Sequence, residues 1–232
     1  MDFSNISSLD TSIFLALNGS DSLFLDALAL TFTSAYTWIL FYVALFFLVV
    51  KNNGKASQIL FVILACVLCI ALATGASAGL IKPYAARLRP SYEPALAHVI
   101  DLAGNYRASG YSFFSSHAAN TFSIAVFFSL LVRNRIFTTF MLGWSLLNCW
   151  TRLYLGVHYP SDILAGLLCG FFSGMIAYLF YQFLYRKTTP RLHYISTQYT
   201  KTGYSLPDID VVLNILTLTF IYAILRAAIT AF

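Results

Sequence analysis

The sequence predicts an all-α membrane protein: a polytopic bundle of about six spanning helices, with an amphipathic or re-entrant segment at its N-terminus. Of its 232 residues, 59% are hydrophobic and 10% are charged, whereas soluble domains average roughly 45–50% apolar and 25% charged residues. The chain has only 14 Lys and Arg and 9 Asp and Glu residues. These are too few charged side chains to cover the surface of a water-soluble protein of this size. Long continuous stretches without charge indicate that helices cross the bilayer.

The elements follow from these stretches in chain order. Residues 9–33 predict an amphipathic or re-entrant helix that is broken near Asn18 and Gly19, because Asn-Gly is typical of a turn. Beyond them, each apolar stretch approaches the roughly 20 residues that a helix needs to cross a bilayer. The predicted spanning helices are 34–50, 57–81, 112–132, 136–155, 160–185 and 209–231. The predicted organisation is an interfacial segment 1–33, a membrane domain 34–187, a cytoplasmic linker 188–208 and a C-terminal transmembrane helix 209–232.

The basic residues predict the orientation of the bundle. Alternating crossings place one group on a single face, which the positive-inside bias assigns to the cytoplasm. This group is Lys51, Lys55, Arg133, Arg135, Arg186, Lys187, Arg191 and Lys201. The opposite face nevertheless carries Lys82, Arg87, Arg89, Arg107 and Arg152. Because these five cations violate the bias, we expect them to serve a chemical purpose.

Three short segments meet at this opposite face, because each adjoins the same end of a predicted spanning helix. They are 82–90, 112–117 and 152–162. Lys82 and Arg89 are seven positions apart, about two helical turns, so both can lie on one helix face. A guanidinium matches phosphate oxygens in a planar fork, and a lysine adds a compact charge. Together with Arg152 and the hydroxyls of Ser115 and Ser116 near a helix start, they predict a phosphoryl-binding pocket.

Two histidines add a reaction to this pocket. Pro160 suits the first turn of a helix, which places Asp162 inside that turn and His158 just before it. The Asp162 carboxylate can then accept the Nδ1 proton of His158, so that Nε2 is free to act as a nucleophile. His117 can protonate the leaving oxygen as a general acid. No pair of carboxylates on this face is spaced to hold two metal ions, so we predict no metal and no cofactor. The Lys and Arg side chains are expected to supply the positive charge that metal ions would otherwise bring.

These residues resemble the type 2 phosphatidic acid phosphatase superfamily, which is related to the vanadium-dependent haloperoxidases. That family shows the motifs K-x6-R-P, P-S-G-H and S-R-x5-H-x3-D. The matching positions are Lys82, Arg89 and Pro90, then Ser115 and His117, then Arg152, His158 and Asp162. Three positions depart from the pattern: Phe114 replaces Pro, Ser116 replaces Gly and Thr151 replaces Ser. The resemblance covers roughly 57–185.

The resemblance implies a helical membrane phosphatase that uses no metal and whose catalytic domain is 34–187. It implies that Lys82, Arg89, Ser115 and Arg152 bind phosphate. It makes His158 the nucleophile that forms a phosphohistidine, Asp162 the residue that orients it, and His117 the acid. We expect Ser116 to retune phosphate binding rather than abolish activity. Arg87 and Arg107 match no motif position and are interpreted as headgroup contacts.

The expected activity is hydrolysis of the terminal phosphate of a membrane lipid. The first expectation is undecaprenyl diphosphate converted to undecaprenyl phosphate, and a lipid A phosphate is a close second. Phosphatidylglycerol phosphate and phosphatidic acid are further alternatives that the motifs do not separate. A lipid phosphotransferase and a non-catalytic transporter or scaffold also remain open. The expected partner is the lipid substrate, with no nucleic acid and no protein partner. The expected location is the bacterial inner membrane, with the site on the periplasmic face.

Overall fold

The computed structural model describes residues 3–188 and 197–231, and helices dominate these ranges, without a strand. The helices are α1 (Phe3–Leu17), α2 (Leu23–Thr33), α3 (Ile39–Lys51), α4 (Ala56–Thr74), α5 (Lys82–Ala85), α6 (Ser116–Val132), α7 (Arg135–Tyr154), α8 (Pro160–Thr188) and α9 (Leu206–Ala231). A π-helical stretch, Gly75–Ile81, joins α4 to α5. The all-α prediction is therefore confirmed.

The N-terminal region is broken where the Asn-Gly pair predicts a break. Helix α1 ends at Leu17, and α2 begins after Ser22, whose hydroxyl accepts a hydrogen bond from the Leu25 N–H at 3.3 Å. A second break follows at Ser34, where α2 and the segment Ala35–Lys51 are bent by 66°. The predicted spanning helix 34–50 thus starts with a short 3-10 turn.

The six spans that the sequence predicts are compared with the helices that are long and apolar enough to cross a membrane. Within the described ranges, three segments are long and apolar enough to cross a membrane: Ala56–Leu96, Pro160–Thr188 and Leu206–Ala231. The bent pair at Ser34 raises this to four when it is counted as one span. Helix α6 is short because it begins only at Ser116, and the second half of α7 carries buried polar side chains. Six spans therefore remain a prediction.

Helices α6 and α8 approach each other closely along a line of glycines. A Cβ atom on Gly166 would lie 2.7 Å from the Ser115 carbonyl oxygen, and Gly170 and Gly174 have backbone oxygens of α6 equally near. Any side chain at these positions would push the helices apart. The glycines therefore fix the start of α6 against the start of α8, which are two of the segments that carry the predicted site.

The opposite end of the bundle is joined by polar contacts between α3 and the start of α9. Asn52 donates to Asp208 at 3.1 Å and accepts from the Ser205 N–H at 2.7 Å. Residues 197–205, the last part of the predicted linker, form turns in which Tyr199 and Ser205 pair. Residues 189–196, which include the predicted cytoplasmic cation Arg191, lie outside the described residues.

Candidate active site

His158 and Asp162 lie at the junction of α7 and α8. Pro160 opens α8, which places Asp162 in its first turn, and His158 is 3% exposed. Its Nδ1 lies 3.3 Å from Asp162 Oδ2, which also accepts the Tyr159 N–H at 2.8 Å. Because a carboxylate only accepts, this contact assigns the proton to Nδ1 and leaves Nε2 with its lone pair. The pairing has the geometry that the sequence predicts.

Arg89 occupies the other side of the His158 ring. Its Nη1 lies 3.2 Å from His158 Nε2 and donates to the Val157 carbonyl at 2.9 Å. The remaining guanidinium nitrogens donate to the carbonyls of Ser109 and Gly110, each at 2.9 Å. Four contacts therefore fix the orientation of the planar guanidinium. One of its edges faces His158 Nε2, the nitrogen that would attack phosphorus.

Burial sets the protonation of His158. It lowers the pKa of His158 to about 4, while the hydrogen bond and charge of Asp162 oppose this shift and the charges of Arg89 and Lys82 add to it. Desolvation penalises the charged imidazolium more than the neutral ring. His158 is consequently neutral at physiological pH, which is the form that can act as a nucleophile.

A buried serine completes the Asp162 environment and was not predicted from the sequence. The Ser112 hydroxyl donates to Asp162 Oδ2 and lies 3.3 Å from His158 Nδ1. Its backbone N–H donates to the Arg87 carbonyl at 2.8 Å. Ser112 matches no motif position, and its place beside Asp162 depends on a turn between 109 and 115 that periodicity does not reveal.

Arg152 and Lys82 bring positive charge to the site and have N–H groups that are not used in hydrogen bonds among the residues that the structure describes. Arg152 is 6% exposed; its Nη1 donates to the Tyr106 hydroxyl at 3.4 Å, while its Nη2 is buried without a partner in the described part of the chain. Lys82 is partly exposed and lies where the charges of Arg89 and Asp162 act on it. A buried guanidinium nitrogen without a partner is costly, so this cluster suits an anionic ligand.

Ser115 and Ser116 occupy the start of α6, and their hydroxyls differ in surroundings. Ser115 caps the helix by accepting the Ala118 N–H at 3.3 Å, and its own N–H donates to the Asp162 carbonyl at 3.1 Å. The Ser116 hydroxyl lies 2.6 Å from that of Ser77 in the π-helical stretch. The hydroxyl that replaces the family glycine therefore pairs with a neighbouring helix.

His117 lies one position further on and contacts α7. Its Nε2 is 3.2 Å from Asn148 Oδ1, which assigns the Nε2 proton to this bond because an amide oxygen only accepts. Asn148 was not predicted, although it stands four positions before Arg152 and hence on the same helix face. The His117 Nδ1 makes no hydrogen bond within the described residues.

The interpretation of Arg87 as a headgroup contact is wrong. Its Nη1 donates to Asp162 Oδ1 at 2.9 Å, and its Nη2 donates to Asp10 Oδ2 at 2.6 Å. Asp10 also accepts the Ser161 N–H at 2.8 Å, and the Arg87 guanidinium stacks 3.9 Å from the Tyr159 ring centroid. Helix α1 is therefore bonded directly to the His158–Asp162 segment, a contact between residues too distant in sequence for any motif to show.

The site thus joins two histidines, two buried arginines and a lysine at one end of a helical bundle. Among residues 3–188 and 197–231, no cluster of three His, Cys, Asp or Glu side chains could hold a metal ion. Arg89 contacts the unprotonated His158 nitrogen, and the charge of Lys82 acts on the same ring. The charge of Arg152 acts on Arg89 and His117. This arrangement is suited to binding and transferring a phosphoryl group. Fold and site together define a membrane-embedded phosphatase.

Comparison with known proteins identifies the family. The model of the PAP2 superfamily matches residues 62–186, and the chain belongs to this superfamily, as the motif resemblance implies. A lipid A 4'-phosphatase of Bacteroides thetaiotaomicron is 36% identical over 188 residues, which is 81% of each chain. A lipid A 4'-phosphatase of Porphyromonas gingivalis is 32% identical over 174 residues, 75% of this chain and 73% of that one.

A third relative gives a shorter match. The provisionally named undecaprenyl-diphosphatase YbjG of Escherichia coli is 33% identical over 88 residues, 38% of this chain and 43% of its own. No solved structure matches. The family, the two longer matches and the apolar helices make this protein an integral membrane lipid phosphatase.

Proposed function

We propose that this protein removes a phosphate monoester from the saccharide headgroup of lipid A, at the position that the names of its relatives give as 4'. The two relatives that match most of the chain are both lipid A 4'-phosphatases. The first expectation, undecaprenyl diphosphate, has weaker support because its relative matches 38% of the chain. The comparisons therefore favour the alternative substrate.

The observation that carries the chemistry is the 3.2 Å contact between Arg89 Nη1 and His158 Nε2. A phosphoryl group that accepts this Arg89 N–H in place of Nε2 would lie beside that nitrogen and leave its lone pair free to attack. In the first step Nε2 forms a bond to phosphorus, and the bond between phosphorus and the saccharide oxygen breaks. Arg89, Arg152 and Lys82 neutralise the charge on the three phosphoryl oxygens as this occurs.

His117 is proposed to handle the proton in both steps. Since its Nε2 proton is bonded to Asn148, His117 would act in its doubly protonated form, in which Nδ1 donates the second proton to the leaving saccharide oxygen. In the second step Nδ1 takes a proton from water, the water oxygen bonds to phosphorus, and the bond between phosphorus and His158 breaks. Inorganic phosphate leaves, and both histidines return to their starting states.

The proposed location is the inner membrane, with the site at its periplasmic face. Three cations at the site side are bonded to neighbouring segments: Arg89 to the Gly110 carbonyl, Arg152 to the Tyr106 hydroxyl and Arg87 to Asp10 of α1. They are therefore engaged in the site rather than free to set orientation. Lys51, Lys55, Arg133 and Arg135 then determine the orientation through the opposite face.

A substrate panel tests the proposal. Purified protein in mixed micelles is given lipid A, undecaprenyl diphosphate, phosphatidic acid and phosphatidylglycerol phosphate, and phosphate release is measured alongside His158→Ala. We expect kcat/KM to be highest for lipid A, by about tenfold or more, equivalent to 1.4 kcal/mol. Mass spectrometry should show loss of the 4'-phosphate. A preference for undecaprenyl diphosphate would overturn the substrate assignment, and phosphate release by His158→Ala would overturn the mechanism.

A further inference from the structure

A polar pocket of about 460 Å³ lies in the loop between α5 and α6, outside the phosphate cluster. Its walls come from two stretches of that loop, 91–97 and 100–107. The members that offer polar or aromatic groups are Ser91, Tyr92, Glu93, Asn105 and Arg107. No motif of the family covers these positions, and only Arg107 among them has a role predicted from the sequence, as a headgroup contact.

The pocket is built on the same backbone as the phosphate cluster. Ser91 follows Arg89 by two positions, and its N–H donates at 3.0 Å to the carbonyl of Gly156, two positions before His158. On the other wall, the residue between Asn105 and Arg107 is Tyr106, whose hydroxyl accepts from Arg152. A headgroup whose phosphate lies between Arg89 and Arg152 would therefore extend towards this pocket.

The groups in the pocket have free hydrogen-bonding capacity. The side chains of Glu93 and Asn105 make no hydrogen bond within the described residues. Arg107 uses Nη1 to donate to the Ser91 carbonyl at 2.8 Å, which leaves its other nitrogens available. The Ser91 hydroxyl is buried without a partner in the described part of the chain. Since buried polar groups are normally paired, this pocket is suited to a ligand that both donates and accepts.

An aromatic ring completes this set. Tyr92 is 47% exposed, and its ring centroid lies 5.4 Å from the Arg107 guanidinium carbon. A carboxylate, an amide, a guanidinium and an aromatic face match the hydroxyls, amide groups and C–H face of a sugar. They do not match an acyl or prenyl chain, because burying these polar groups against hydrocarbon leaves them unpaired.

We propose that this pocket binds the saccharide part of the substrate headgroup beside the phosphate that is removed. The proposal deepens the proposed function and rests on it. A polyprenyl diphosphate carries no sugar and would make no contact with Glu93, Asn105 and Arg107. A site built to pair with hydroxyls discriminates strongly against substrates that lack them, so the pocket also provides selectivity.

The test uses the double variant Glu93→Gln/Asn105→Ala in the full chain, since neither side chain is bonded within the described structure. We expect its KM for lipid A to rise about tenfold, equivalent to 1.4 kcal/mol, with a smaller change in kcat. Inhibition by inorganic phosphate, which reports on the phosphate cluster alone, should stay near the wild-type value. Asp21→Asn is the matched control, because it makes the same acid-to-amide change at an exposed position.

A second measurement does not depend on lipid chains. A soluble, acyl-free glucosamine disaccharide should inhibit the wild type competitively and should inhibit the double variant much less. If the wild type hydrolyses lipid A but the double variant keeps its KM and its inhibition by the disaccharide, the pocket assignment is wrong and the proposed function stands. If the wild type releases no phosphate from lipid A, the proposed function fails and this inference fails with it.

Discussion

Asp10 Oδ2 lies 2.6 Å from Arg87 Nη2, which bonds the first helix to the catalytic end of the bundle. Arg87 in turn donates to Asp162, the carboxylate that holds His158. The Asp10 side chain is 7% exposed and that of Arg87 is 29% exposed, so water screens this ion pair in part. The N-terminal helix therefore contributes to the position of the proposed nucleophile, although it lies outside the part of the chain that matches the family model.

Asp10→Asn should lower kcat about tenfold, with a smaller effect on KM. The charge-assisted bond to Arg87 is lost, and such bonds contribute roughly 1.5–3 kcal/mol, so Asp162 is held less firmly. Phosphate release from lipid A measures the change. Asp10→Glu should recover part of the loss, and Asp21→Asn serves as the control. If Asp10→Asn lowers the melting temperature but leaves kcat unchanged, Asp10 only stabilises the fold.

Arg89→Lys should lower kcat/KM about 100-fold although the charge is kept, a typical effect of removing one preorganised donor. A lysine cannot reproduce the planar set of bonds to Val157, Ser109 and Gly110 that directs one edge at His158. The measurement is kcat/KM on lipid A in mixed micelles. Arg186→Lys, at the other end of α8, is the matched control. Near-normal turnover by Arg89→Lys would show that charge alone is sufficient.

His158 should remain neutral well below pH 6.5. Burial lowers its pKa to about 4, and because only the neutral ring is nucleophilic, activity is retained as the pH falls past 6.5 and is lost near the lowered value. Substrate phosphate itself titrates near pH 6, so a direct measurement is preferable. The chain has four histidines, and the NMR signal that disappears in His158→Ala can be followed against pH. Protonation of that ring at pH 6.5 would contradict the prediction.

Chelation of metal ions should leave most of the activity in place. Arg89, Arg152 and Lys82 supply the positive charge that a metal ion would otherwise bring to the phosphoryl oxygens. Protein and micelles are dialysed against EDTA, and phosphate release is compared with the untreated sample and with His158→Ala. Loss of activity that Mg²⁺ restores would show that the cations are not sufficient.

The sequence predicted the residues of the site better than its surroundings. The motif spacings predicted that Arg89, His158 and Asp162 come together, and they do lie together in the structure, because each motif lies beside a helix end and connected ends must meet at one face. Asp10 and Ser112 were missed since their contacts are made across distant parts of the chain, or through an irregular turn. Such contacts depend on packing, which single-sequence patterns do not contain.

The span count was harder to predict for a related reason. Stretches without charged residues led to the prediction of a spanning helix at 136–155. The corresponding helix α7 carries the buried polar residues Ser145, Asn148, Thr151 and Arg152. These groups are polar because they face the site and neighbouring helices rather than lipid. Hydropathy cannot distinguish a helix that lines a polar site from one that is too polar to cross a bilayer.

The wide π-helical turn Gly75–Ile81 determines where Lys82 points. A π-turn accommodates one more residue than an α-turn, and such turns occur frequently at functional sites. Each residue rotates an α-helix by about 100°. Deletion of a single residue in this stretch would restore regular winding and swing the Lys82 ammonium away from Arg89. The number of residues in Gly75–Ile81 therefore matters for the position of Lys82, independently of their side chains.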